Sequence, residues 1–307
     1  MDLNNIQKYL LKEIADMTEV PQGAYNIRSD SQSIGRQSTE NVEITPKEGV
    51  SGLDIFIKPN VKDETVHIPV VMTKSGLKEE VYNDFFIGDN AEVLIVAGCG
   101  IDNCGAHDSQ HDGIHRFYVG KNAKVKYVEK HYGSGDGTGK RILNPVTEVY
   151  AEEDSTVEME MVQIKGVDDT TRTTIAELKK GASMVVRERL MTHQEQQAFS
   201  VYTVNLNGKG ANADIVSRGV ARDNSYQKLD LKIVGNAECK GHTECDSIIM
   251  DNGKILAVPA LEANDVDASL VHEAAIGKIA GEQLTKLMTL GLTESEAEEQ
   301  IINGFLR

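Results

Sequence analysis

Cysteine, basic charge and long apolar runs are all scarce in this sequence, and each shortage excludes a class of protein. Four cysteines in 307 residues are too few for a disulfide framework, so the thiols are read as reduced and free for metal or sulfur chemistry. Lysine and arginine number 32 against 48 aspartates and glutamates, a formal net charge of −16. A sequence-independent nucleic-acid binder needs the opposite balance. The longest apolar run, Val93 to Ala97, is strand-sized and far below the ~20 residues that span a bilayer. The opening residues (MDLNNIQKYLLKEIADM) mix acids with apolar residues and lack the basic start and apolar stretch of a secretory signal. The expectation is a soluble, cytoplasmic protein with no nucleic-acid or membrane partner. Apolar residues are plentiful at 40%, enough for a core, which excludes wholesale disorder.

A first helix is expected where Ile6, Leu10, Leu11 and Ile14 fall on one side, with Asp2 as a possible cap. The polar stretch from Asn26 to Gly49 reads as a solvated connector or weak edge structure. From about Leu53 the apolar period becomes two, in LDIFI (53–57), AEVLIV (91–96), AKVKYV (123–128) and STVEMEMV (155–162). The turns before these strands resemble one another and bring a small residue to positions 91, 123, 155, 182 and 211, at spacings of 32, 32, 27 and 29 residues. A turn plus strand recurring at this period signals stacked coils that share one apolar row. A β-solenoid suits such units better than a Greek-key sandwich, the competing arrangement. Six prolines against 27 glycines fit it, because proline removes ladder donors. At His272 the period turns helical through Ala275, Ile276, Ile279, Leu284, Leu287 and Met288, and Gly291 stops the helix. Thr293 and Glu296 make a capping box for a last helix with Ala297, Ile301 and Phe305 inward. Three segments result: residues 1–49 (helix and connector), 50–270 (β core) and 271–307 (helical, as a cap, a docking site or both).

Cys99, Cys104, His107, His111 and His115 form the first chemical cluster. Cysteine and histidine in such spacing suit zinc or ferrous iron. Three histidines four apart would share a helix face, but Gly98, Gly100, Gly105 and Gly113 oppose a helix, and a turn-rich loop is the plainer reading. Cys239, His242 and Cys245 form the second; on a strand the cysteines share a face and His242 points away. The run from Gly133 to Lys140 fails as a phosphate loop, with Ser134 at the first glycine position and Arg141 at the Ser/Thr position. Any ATP chemistry belongs to another chain.

The C-terminal third resembles the SufB/SufD family of iron–sulfur cluster assembly scaffolds. The resemblance is carried by Thr243-Glu-Cys245-Asp-Ser247, by Val271-His272-Glu273-Ala274-Ala275-Ile276-Gly277-Lys278-Ile279, by Glu282-Gln283-Leu284, and by Met288 to Ala297 and Ile301 to Phe305. A weaker likeness covers Gly98-Cys99, His111, the Gly120–Tyr127 strand and Gly23-Ala-Tyr-Asn-Ile27. The chain looks like a compact archaeal type. The resemblance implies a right-handed parallel β-helix followed by a small helical domain. It also implies a non-catalytic scaffold, dimeric through the β-helix, as a homodimer or a SufB/SufD-type heterodimer. A SufC-type ABC ATPase would dock on the C-terminal helices and hydrolyse ATP, a donor would supply sulfur, and apoproteins would take the finished, transient iron–sulfur cluster.

Carried over by position, Cys245 falls on a proposed cluster ligand, and His272 and Glu273 fall on the family's His-Glu pair. Cys99 falls on the proposed sulfur acceptor, and His131 stands where SufB usually has glutamine along a sulfur path. The chain departs from the family at Gly133, at Val66-His-Ile-Pro69 and at Thr147–Glu148. Two rival expectations are a mononuclear metal protein built on the Cys99–His115 cluster, with Cys104, His107 and His111 as a second metal site, and an inert SufD-like recruiter of the ATPase.

Overall fold

The computed structural model describes residues 3–307. Helix α1 (Asn5–Ala15) opens the chain. Strands follow as β1 (Ala24–Ser29), β2 (Gln32–Gln37), β3 (Val42–Pro46), β4 (Gly52–Ile57), β5 (Glu64–His67), β6 (Val70–Met72), β7 (Lys78–Ile87), β8 (Glu92–Asp102), β9 (Ser109–Val119), β10 (Lys124–Ser134) and β11 (Arg141–Leu143). The winding continues through β12 (Val146–Ala151), β13 (Thr156–Lys165), β14 (Asp169–Leu178), β15 (Ser183–Thr192), β16 (Gln197–Leu206), β17 (Asn212–Ala221), β18 (Tyr226–Gly235), β19 (Lys240–Ile249), β20 (Lys254–Ala263) and β21 (Ser269–Gly277). Helices α2 (Gly281–Thr289) and α3 (Glu294–Phe305) close it.

One wall runs β2-β1-β5-β8-β10-β13-β15-β17-β19-β21, and the other β20-β18-β16-β14-β11-β9-β7-β4-β3. Successive coils pair in parallel, and among the described residues only β1/β2 and β3/β4 are antiparallel. This is a β-solenoid of about eight turns, as the repeat spacing predicts. The corners explain the repeat. Asn90, Asn122, Asp154, Gly181 and Gly210 have positive φ, the left-handed conformation that asparagine, aspartate and glycine tolerate best. Each stands just before Ala91, Ala123, Ser155, Ala182 or Ala211, all buried. The corner residue reverses the chain, and the next residue must be small to fit inside the bend. Asn122 donates to Asn90, and Asn90 to Asn60, through side-chain amides 3.2 and 3.0 Å long, which ties neighbouring corners together.

Several elements differ from the sequence expectation. The polar connector is ordered: β1, β2 and β3 occupy most of residues 26–49, and Asn26, Ile27, Arg28 and Ser29 are buried. Polar groups bury here because most of their atoms find partners, Asn26 Nδ2 and Arg28 Nε being exceptions. Asn26 Oδ1 accepts from Ser33 and Arg36, and Arg28 pairs with Glu79 at 3.2 Å. Asp2 lies outside the described residues, and Asn4 caps α1 in a box with Gln7. Leu10, Leu11 and Ile14 are buried as read, whereas Ile6 is exposed. Gly133 and Ser134 end β10, and residues 135–140 form a turn laid on the preceding coil: Cβ atoms at Gly137 and Gly139 would stand 2.2 Å from the Gly105 and His107 carbonyl oxygens.

The helical segment begins later than its periodicity suggests. His272, Ala275 and Ile276 lie on β21, whose ladder with β19 runs from Lys240↔Ser269 to Ile248↔Gly277. A free parallel edge outweighs the mild helix preference of Ala-Ala-Ile. The Thr293/Glu296 capping box forms as expected. In α3, Ala297 and Ile302 are the buried residues, not Ile301. Phe305 lies 5.9 Å from the Arg218 guanidinium, which also donates to its carbonyl. These helices do not cap the solenoid end, since Leu261 and Ile276, in the inward phase of β20 and β21, stay exposed. Among the described residues no helix is long and apolar enough to cross a membrane.

Candidate functional site

Inward positions of a solenoid should be apolar, and most are. A line of polar side chains nevertheless runs through the interior. In-register stacking places Cys99, His131 and Gln163 in one inward row. The next row holds Ala97, Glu129, Met161, Glu188, Ser217 and Cys245. The opposite wall adds His111, His115, Arg172, Ser200 and Tyr202, all buried.

These groups form one connected seam. His111 Nδ1 lies 3.0 Å from Glu79, which Arg28 also holds. His131 Nδ1 is 3.2 Å from Gln163, and its Nε2 is 3.7 Å from Glu129. Arg172 pairs with Glu129 and reaches Glu188 at 3.6 Å. Glu188 accepts from Ser200 at 2.7 Å, Tyr202 at 3.0 Å and Ser217 at 2.6 Å. Ser217 is the in-register neighbour of Cys245. The seam thus joins a buried cysteine near the start of the solenoid to one near its end.

The two cysteines differ in acidity. Burial alone raises the Cys99 thiol, but the adjoining His111 and His131 rings outweigh it and bring it down to about 7. Burial likewise opposes a charge on His111; the Cys99 thiolate and Glu79 prevail and raise the ring to about 10. Glu79 falls to about 2 against its burial, through His111 and Arg28. Cys99, His111 and Glu79 therefore make a thiolate–imidazolium–carboxylate array, the arrangement that activates a nucleophilic sulfur. Cys245 has no cationic neighbour. Burial, with Glu188 and the acids flanking it in sequence, pushes its thiol up to about 12. His115 also stays neutral, since burial depresses it to about 4.

At the open end, strand alternation separates the expected ligands. Thr243 faces His272 across the β19–β21 ladder, and their side chains share a 2.6 Å hydrogen bond. Cys245 and His272 therefore occupy the inner face, on adjacent inward rungs, and the buried His272 Nε2 has no partner. Glu273 pairs with Glu244 on the outer face. The metal grouping of Cys104, His107 and His111 is not assembled. Cys104 and His107 are exposed on the 103–108 loop, whereas His111 is buried on β9. His111 and His115 share a face as strand neighbours, not as a helix stripe. Cys239 is a buried thiol apart from the seam.

Sequence reading missed Glu79, Glu129, Arg172 and Glu188. A signal existed for the last three: each occupies the apolar phase of its strand, as in Met184, Val186, Glu188, Leu190. A charge in that phase is costly unless paired.

Comparison with known proteins agrees with this architecture. Residues 83–305 match the family model described as SUF system FeS cluster assembly, SufBD core domain. A protein of Methanocaldococcus jannaschii named as an iron-sulfur cluster assembly SufBD family protein is 30% identical over 287 residues, 91% of this chain and 89% of that protein. One from Archaeoglobus fulgidus is 31% identical over 276 residues, 88% of this chain and 72% of its own length. One from Pyrococcus horikoshii is 29% identical over 295 residues, 91% and 86% respectively. Against two Methanothermobacter thermautotrophicus relatives the match spans only 56% and 55% of their length. With a family model across most of its solenoid and helices, and relatives aligned over nearly all of it, the chain belongs to the SufBD family of iron–sulfur cluster assembly proteins.

Proposed function

We propose that this chain is an assembly scaffold that takes up sulfur at Cys99 and builds an iron–sulfur cluster, its cargo, at the open end of the solenoid. Cys245 and His272 serve there as inner-face ligands and Glu273 as a carboxylate nearby. The buried seam carries this reading, because desolvating charges and two cysteines in an apolar core is costly and structurally unnecessary. At Cys99 the thiolate attacks the outer sulfur of a donor persulfide. One S–S bond forms on Cys99 as the donor's S–S bond breaks, and the donor thiolate leaves. His111, held by Glu79, stabilises the attacking thiolate, and His131 stands at the first step toward Cys245.

The exposed apolar residues of β20 and β21 suit a dimer, either two copies or a SufB/SufD-type pair, that brings two open ends together. Helices α2 and α3, with Met288 and Leu290 exposed, suit docking of a SufC-type ABC ATPase. ATP-driven movement of that partner would then open the interface for cluster release.

The test is anaerobic reconstitution of the full chain with ferrous iron and sulfide. A sulfur-to-iron charge-transfer band in the visible is the expected result. A protein that stays colourless while still binding the ATPase would replace this reading with that of an inert recruiter.

Sulfur loading of Cys99 gives a second expectation. The rate of polysulfide uptake, followed by mass spectrometry, should rise with pH around a midpoint near 7, because only the thiolate attacks. In His111→Gln the midpoint should move up toward the ordinary thiol value of 9.0. An unchanged midpoint would remove His111 from the site.

A further inference from the structure

We propose that His242, Glu244 and Glu273 form a binding site for a divalent metal of the ferrous-iron class on the outer face of the terminal coil. It lies back to back with Cys245 and His272. The iron identity rests on the assembly reading above; the metal site itself does not.

Alternation along β19 sends Thr243 and Cys245 inward and His242 and Glu244 outward, and the ladder sets Glu273 directly beside Glu244. One donor atom from each of His242, Glu244 and Glu273 lies within 4.8 Å of the other two. Among the described residues this is the one set of three or more such side chains that converges so closely. Two carboxylates on adjacent rungs of one face repel, and among the described residues neither has a lysine or arginine partner. Of the arginines on this wall, Arg187 pairs with Asp214 at 2.6 Å, and Arg218 donates to the Phe305 carbonyl while attracting the Glu244 carboxylate without forming an ion pair; Asp246 adds a further negative charge beside Glu244.

A second observation concerns the imidazole. His242 Nδ1 lies 2.8 Å from Asp214 Oδ1. A carboxylate accepts, so Nδ1 carries the proton and the neutral ring keeps its lone pair on Nε2. Asp214 is fixed in turn by Arg187. Carboxylate–imidazole pairs of this kind orient metal-binding histidines. One imidazole with two carboxylates suits ferrous iron, cobalt or zinc better than magnesium or calcium, which prefer oxygen alone.

Sulfur would then reach the wall from the lumen and iron from outside, at neighbouring residues of the same two strands. Glu244 adjoins Cys245, and Glu273 adjoins His272.

Anaerobic titration of the full chain with cobalt(II), without sulfide, tests the site independently of cluster formation. Expected is saturable binding of about one cobalt per chain, with weak visible d–d bands and no thiolate charge transfer, as oxygen and nitrogen ligands dictate. Ferrous iron should compete for it. His242→Gln and Glu244→Gln should each weaken binding about tenfold or more, and Asp214→Asn about 10–100-fold, with circular dichroism unchanged. Cys245→Ser should leave the titration as in the parent. Absence of saturable binding, equal affinity in His242→Gln and Glu244→Gln, or a charge-transfer band lost in Cys245→Ser would each overturn the proposal. A chain that binds cobalt as described but forms no cluster would keep this site and defeat the scaffold reading instead.

Discussion

In Cys245→Ser, the visible band of the reconstituted protein is expected to disappear and bound iron to fall to about a tenth or less, while the fold survives. Cys245 is buried on the inner face of β19, one rung from His272. Its thiol sits at about 12 because burial and Glu188 disfavour the thiolate, so iron must displace the proton to gain a sulfur ligand. Serine fills nearly the same space, but its hydroxyl is far harder to ionise and is a poor ligand for iron in a cluster. The folding cost should stay near 1–2 kcal/mol, the usual price of a buried polar mismatch, and urea unfolding would read it. Cys104→Ser is the control: that thiol is exposed beside Asp102 and should leave the band intact. The reverse pattern, with the band lost only in Cys104→Ser, would move cluster chemistry to the 103–108 loop and remove Cys245 from the site.

What could be read in the sequence was what local chemistry decides. Asn90 and Asn122 announce corners because a left-handed residue is a local demand, and Ala91 and Ala123 follow because the bend leaves room for little else. The Thr293/Glu296 box is equally local. Strand β21 was not legible from residues 269–277 alone, because its helix-compatible Ala274-Ala275-Ile276 is held by pairing with a strand nearly thirty residues earlier. Strand β1 hid for a related reason: Asn26 and Arg28 look solvated until Arg36 and Glu79 close on them. Cys99, Cys245 and His272 stand out individually in the sequence, and the resemblance places His131 on a sulfur path, but the rest of the link between Cys99 and Cys245 is not legible there. It runs through Glu129, Arg172 and Glu188, which only coil stacking brings together. Stacking also parts residues that sequence groups, and so Glu273 faces away from Cys245.

Arg172→Leu is expected to destabilise the protein by about 3–5 kcal/mol, the range for breaking a buried ion pair by removing one partner. Arg172 is buried between Glu129 and Glu188, which are equally buried. Without it, two carboxylates share an apolar lumen with no strong cation, and folding must protonate at least one of them. The pH dependence should therefore invert. In the parent, Arg172 and the neighbouring histidines hold Glu129 well below its usual value despite its burial. That stability is present above the unfolded carboxylate value and is lost as pH falls through the folded one. In the variant the folded-state pKa is raised, so stability is present below the unfolded value and drains away as pH rises through the folded one. Urea unfolding at pH 5 and pH 8 would show a gap between parent and variant that widens at pH 8. Arg187→Leu removes a partly exposed ion pair with Asp214 and should cost less than about 1 kcal/mol. An Arg172→Leu cost as small as that of Arg187→Leu, with no change of sign in the pH trend, would mean that water reaches the seam. The depressed Cys99 thiol and the raised Cys245 thiol would then both relax toward ordinary values, and the lumen could not keep two cysteines in different protonation states.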